Sequence, residues 1–131
     1  MRFWLILLFV SSLLLADHVQ WQSDFEKARA QAVQEKKGLM IFLIAGNDKV
    51  AIKMLSHSFR DQSYIACINK NYVSILIQKG QSSSYPIELL YTLAYPSLFF
   101  LDNQELFTKE TLSGYITAKT LEKHLDCRSV R

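Results

Sequence analysis

Leu39, Met40, Ile41, Phe42, Leu43, Ile44 and Ala45 follow one another without a polar interruption, bounded by Gly38 and Gly46. A short, wholly apolar run between glycines reads as a strand buried on both faces, of the kind found inside a sheet covered by helices. Any fold for this chain has to supply those helices.

The flanking sequence offers them. From Trp21, the residues Phe25, Ala28, Ala32 and Val33 recur at spacings of three and four between polar neighbours, which predicts a helix with one apolar stripe. Ser23 or Asp24 can cap its start, Lys36 and Lys37 suit its C-terminal dipole, and Gly38 can end it. Beyond the apolar run, Gly46, Asn47 and Asp48 form a turn rich in capping residues. Val50, Ala51, Met54, Leu55, Ser58 and Phe59 then mark a second helix. A further helical stretch carries Ile65 and Ile68 and is closed by Asn69 and Asn71, and residues 72–78 read as the next strand. After a polar loop from Lys79 to Ser84, Pro86 opens a short helix over Tyr85 to Leu93. Ser97 to Asp102 is another apolar strand. Asn103 and Gln104 turn the chain into a weaker strand at 106–112, paired as a hairpin, and after Gly114 a last helix carries Ile116, Leu121 and Leu125. Early alternation of helix and strand followed by a late hairpin predicts an α/β fold, a central mixed sheet with helices on both faces. Half of the 131 residues are apolar, enough for one packed core, and no repeat or second domain interrupts it.

The N-terminus has a separate character. Met1 and Arg2 precede an apolar stretch from Phe3 to Val10, then Ser11 and Ser12, Leu13 to Leu15 and the small residue Ala16 before the polar Asp17. These are the parts of a secretory signal peptide over residues 1–16, leaving 17–131 as the mature domain in the periplasm or outside the cell, free of the membrane. The same apolar signal also serves an uncleaved anchor. No cysteine follows Ala16 to carry a lipid.

The formal charge of +3 is spread among interleaved acids, without the clustered basic stripe that nucleic-acid binding needs. Phosphate loops, nucleophile elbows and His-Glu-x-x-His pairs are absent, and four glycines leave few places for such loops. His124 and Cys127 are three apart, but His18 and His57 are scattered, so no metal and no cofactor is expected. The two cysteines, Cys67 and Cys127, can form a structural disulfide in an oxidising compartment or remain unpaired.

Four segments carry a family resemblance: Trp21 with Asp24-Phe25-Glu26-Lys27-Ala28; Lys36-Lys37-Gly38-Leu39-Met40-Ile41-Phe42; Asn69-Lys70-Asn71-Tyr72-Val73; and Tyr95-Pro96-Ser97-Leu98-Phe99-Phe100-Leu101-Asp102. With the order of elements, they make residues 21–125 resemble the exported thioredoxin-like proteins related to the C-terminal domain of the disulfide-relay protein DsbD. The resemblance implies a thioredoxin-like fold in which Pro96 takes the cis form and faces the site. It also implies a Cys-x-x-Cys motif after the first buried strand, and here the chain departs: aligned on Lys53 and Met54, the two positions hold Asp48 and Ala51. In the resembled topology Cys67 and Cys127 could meet, but at the far end from that site. The expectation is therefore a protein without catalytic residues that binds a protein or peptide partner in a groove formed by Asp48, Lys49, Ala51, Tyr95 and Pro96, or serves as an accessory subunit. The alternative is a thiol-disulfide oxidoreductase of an extracytoplasmic redox pathway.

Overall fold

A computed structural model of the protein describes residues 18–60, 62–80, 86 and 90–125. The expected signal peptide, Cys127 and most of the expected helix at 85–93 lie outside the described residues. Within that last stretch, Leu90 N–H donates to the Pro86 carbonyl at 3.0 Å, while residues 91–96 are not helical.

The apolar run forms β2, Gly38–Ile44, at the centre of a five-stranded sheet. Parallel to it runs β3, Tyr72–Gln78, and antiparallel on its other side runs β4, Ser97–Leu101. The flanks are closed by two strands of two residues each: β1, Trp21–Gln22, beside β3, and β5, Leu112–Ser113, beside β4. Because side chains alternate along a strand, β2 feeds two cores. Leu39, Ile41 and Leu43 face α1, Phe25–Glu35, which buries Phe25, Ala28 and Ala32 against them. Met40 and Phe42 face the opposite layer, built from α2, Lys49–Ser56; a single 3-10 turn, Ser58–Arg60; α3, Gln62–Asn71; and α4, Ala118–Leu125. An aromatic cluster anchors this second layer: Phe42 lies 5.9 Å from Trp21 and 5.1 Å from Phe59, and Trp21 meets Phe59 edge-on at 5.0 Å.

Several expectations need correction. Asp24 does cap α1, accepting from Lys27 N–H at 3.1 Å. The helix is closed, however, by Lys36 in the left-handed region (φ 57°) and not by Gly38. Gly38 instead opens β2 where the sheet is tightest: a Cβ there would stand 2.8 Å from the Leu101 carbonyl oxygen. Gly38→Ala is therefore expected to cost about 1–3 kcal/mol in urea denaturation, because a main-chain atom of the central ladder must yield. Lys37 serves another helix, its ammonium donating to the Asn69 carbonyl in the last turn of α3 at 2.8 Å. Val33, placed on the apolar stripe from its spacing, is 52% exposed. The second helix stops at Ser56, short of Phe59. Ser58 hydroxyl donates to the Ile116 carbonyl, and the tighter 3-10 turn delivers Phe59 to the aromatic cluster. Ile116 accordingly lies ahead of α4, not on it, yet is buried.

The late hairpin is also reduced. Asp102 Oδ1 accepts from Gln104 N–H at 2.8 Å and Leu106 N–H at 3.0 Å, and Glu105 takes a positive φ of 64°, so the chain turns as expected. It then makes only one bridge, Leu101 to Phe107, before pairing again at β5. Thr108, Lys109, Glu110 and Thr111 between them have no apolar side chain to bury, which leaves a ladder there without support.

Candidate functional site

The site is assembled at the end of the sheet where β2 finishes and β4 begins. Ser97 pairs with Leu43, so Pro96 stands one residue beyond the ladder, at the level of the exit from β2. The Tyr95–Pro96 peptide bond is cis. The Pro96 carbonyl accepts from Gly114 N–H at 2.9 Å, joining this turn to the segment that leads into α4. Lys79 N–H donates to the Ile44 carbonyl at 2.8 Å, drawing in the exit of β3. Two lysine-tyrosine pairs flank the proline: the Lys53 ammonium lies 5.0 Å from the Tyr115 ring centre, and the Lys79 ammonium 5.2 Å from that of Tyr95. Contacts of this kind attract the cation to the ring face.

The turn itself is held by hydroxyl groups. Ser97 Oγ, fully buried, donates to the Ala94 carbonyl at 2.7 Å and lies 3.1 Å from Thr92 Oγ1 and 2.8 Å from Ser113 Oγ. Thr92 Oγ1 in turn accepts from Ala94 N–H at 3.1 Å. These bonds engage the Ala94 main chain and the Ser97 hydroxyl on either side of Tyr95 and Pro96, whereas among the described residues nothing bonds to the Tyr95 main-chain N–H or C=O.

Asp48 sits at the N-terminus of α2, where its carboxylate accepts from Val50 N–H at 3.0 Å and Ala51 N–H at 3.1 Å. These are the amides that a helix leaves unpaired, and they form its positive end. A thiolate at this place would be stabilised by the same field; the carboxylate takes it up instead. Lys49 is exposed beside it. Ala51 does not line a groove: its side chain is fully buried in the core between α2 and the sheet. Pro96 is buried as well, and Tyr95 is half-buried, so the accessible part of the expected site reduces to Asp48, Lys49 and Tyr95. Lys79 and Tyr115 were missed from sequence. Gly114-Tyr115 suits the family pattern, but neither Tyr115 nor Lys79 is marked as a site residue until the fold brings each beside its partner.

Cys67 lies elsewhere. It is half-buried on α3, one turn before that helix runs into Tyr72, and Tyr72 pairs with Gly38 at the end of the sheet opposite Pro96. Its sulfur is disulfide-bonded, with Asn71 Nδ2 at 3.6 Å. His124 points its Nε2 to the Glu110 carbonyl at 2.9 Å and rests on Phe100. Among the described residues no three His, Cys, Asp or Glu side chains group as metal ligands, and no helix is long and apolar enough to cross a membrane.

No protein-family profile matches the chain, and no curated protein sequence does. Solved structures do. DsbH oxidoreductase superposes with a TM-score of 0.65 at 17% identity, covering 88% of each chain. A thioredoxin from Thermus thermophilus gives 0.68 at 14% identity over 87% of this chain and 88% of its own. The fold is thioredoxin-like. A disulphide isomerase from Xylella fastidiosa Temecula1 gives 0.52 at 17% identity over 79% and 76%. The thioredoxin-like neighbours are thus disulfide oxidoreductases, and at these identities the likeness extends to the fold.

Proposed function

We propose that this is an exported thioredoxin-like protein that holds an extended peptide or protein segment at the Tyr95–Pro96 turn and has given up dithiol exchange. The observation that carries the reading is the Tyr95 main chain: among the described residues its N–H and C=O make no bond, while the Ala94 N–H and C=O and the Ser97 hydroxyl beside it are engaged. Unpaired main-chain donors and acceptors next to a strand are what an extended segment uses to dock. The absence of exchange follows from Asp48, whose carboxylate occupies the helix end that would activate a thiol, and from a second position held by Ala51. The accessory role, export through residues 1–16 and a Cys67–Cys127 bond stapling the last helix belong to the same reading.

Two measurements test it. Insulin reduction in the presence of dithiothreitol is expected to run at the uncatalysed rate. Turnover above that rate which vanishes in Cys67→Ala would replace this reading with that of a thiol-disulfide oxidoreductase. Selection from a random peptide display library on the protein as isolated from cells is expected to enrich peptides whose capture drops in Tyr95→Ala and is unchanged in the distant Val33→Ala. Recovery no better than on a blank surface would remove the binding role.

A further inference from the structure

Resting on that reading, the surroundings of Tyr95 specify what kind of segment fits. A cavity of about 400 Å³ opens beside it, walled by Leu43, Leu90, Tyr91, Leu93 and Tyr95. That volume suits one large side chain and part of its neighbours. Leu93 is 87% exposed and Tyr91 67% exposed at its rim, an arrangement that leaves apolar surface in water for no benefit to the core. Among the described residues, the one charged group in the wall is Lys79.

Among the described residues, the charge around this end is unbalanced. Among the described residues of segments 45–53, 79–80, 90–97 and 112–117, the basic groups are Lys49, Lys53 and Lys79, and the one acid is Asp48. The Asp48 carboxylate is already taken by the α2 amides. Lys79 forms no ion pair among the described residues; its ammonium lies over the Tyr95 ring, with donors left for another acceptor. A carboxylate arriving beside an apolar wall meets this ammonium in surroundings that screen less than open water.

We propose that the cavity takes an extended segment in which an aromatic or large aliphatic residue adjoins Asp or Glu. The apolar side chain fills the space between Leu90 and Tyr95, and the acid pairs with Lys79. The ligand is thereby an acidic, apolar-anchored peptide, selected by a cation that the core does not require.

The test examines the peptides recovered in the display selection. They are expected to carry Asp or Glu beside the anchor residue. A synthetic peptide of the consensus should bind roughly tenfold more weakly in about 0.5 M than in about 0.05 M NaCl, since salt screens an accessible pair. It should also bind at least about tenfold more weakly to Lys79→Glu, with Lys79→Arg restoring affinity to within about threefold. Peptides that bind through Tyr95 but show no acidic preference, or bind Lys79→Glu as well as the parent, would overturn this inference and leave the binding role standing. Failure to select any peptide would remove both. Sedimentation showing a dimer that Leu93→Asp dissolves would overturn it by assigning the cavity to a second copy of the chain.

Discussion

Replacing Asp48 and Ala51 together by cysteine is expected to give a reducible intramolecular disulfide and insulin reduction roughly tenfold or more above the parent protein. The two positions are the N-cap and the third residue of α2, so they share the first turn. The amides of Val50 and Ala51 now bond the Asp48 carboxylate at 3.0 and 3.1 Å. A sulfur at position 48 would meet the same two donors, which favour the thiolate over the thiol. Position 51 points into the core, as a second, sheltered sulfur should. Thiol titration under denaturing conditions, before and after reduction, reads the bond, and the insulin assay reads the chemistry. If no new bond forms, α2 does not present the geometry of a dithiol site, and the equivalence of Asp48 to an active cysteine is lost. The single substitution Asp48→Ala serves as the control for the cap, whose loss costs about 1 kcal/mol.

The largest loss of stability is expected from Phe42→Ala, about 3–5 kcal/mol in chemical denaturation. Phe42 is fully buried at the middle of β2, pairing in register with Leu76 on one side and Leu98 on the other. Its ring connects β1 through Trp21 with the 3-10 turn through Phe59. Truncation empties the point where the central strand, an edge strand and the helical layer meet, and the rigid sheet cannot close the void. Phe42→Leu should cost much less, about 1.5 kcal/mol or below, because it conserves most of the volume. A loss under about 1 kcal/mol for the alanine variant would show that the cluster collapses around the gap and is not what organises this face.

Much of the architecture could be read from the chain because burial on both faces leaves an uninterrupted apolar signature. The apolar runs 39–45 and 97–102 mark β2 and β4 in this way, 72–78 reads as a strand despite Ser74 and Gln78, and Asp24 and Asp48 announce their helices through their capping chemistry. What escaped depended on tertiary contacts. Gly38 looked like a helix stop, but its lack of a side chain answers to Leu101, which is remote in sequence. Lys36 adopts a left-handed conformation that its side chain does not advertise. The 106–112 strand was given more pairing than Thr108 to Thr111 can support. At the site, Pro96 is what the resemblance implies, on the segment Tyr95-Pro96-Ser97-Leu98 that opens the strand. Ala51 enters the expected groove through the resemblance, as the position of the second cysteine, which does not say how deeply a side chain there is buried. The hydroxyl set of Thr92, Ser97 and Ser113 joins residues from two segments and had no local pattern to reveal it.

The strands closing the sheet, two residues apiece, also bear on how the protein behaves when crowded. Among the described residues, a foreign strand approaching either border finds a run of only two strand residues, too short to lengthen the ladder. Self-templated polymerisation along the hydrogen-bonding direction is thereby discouraged by brevity, without a proline or a guard charge at the border.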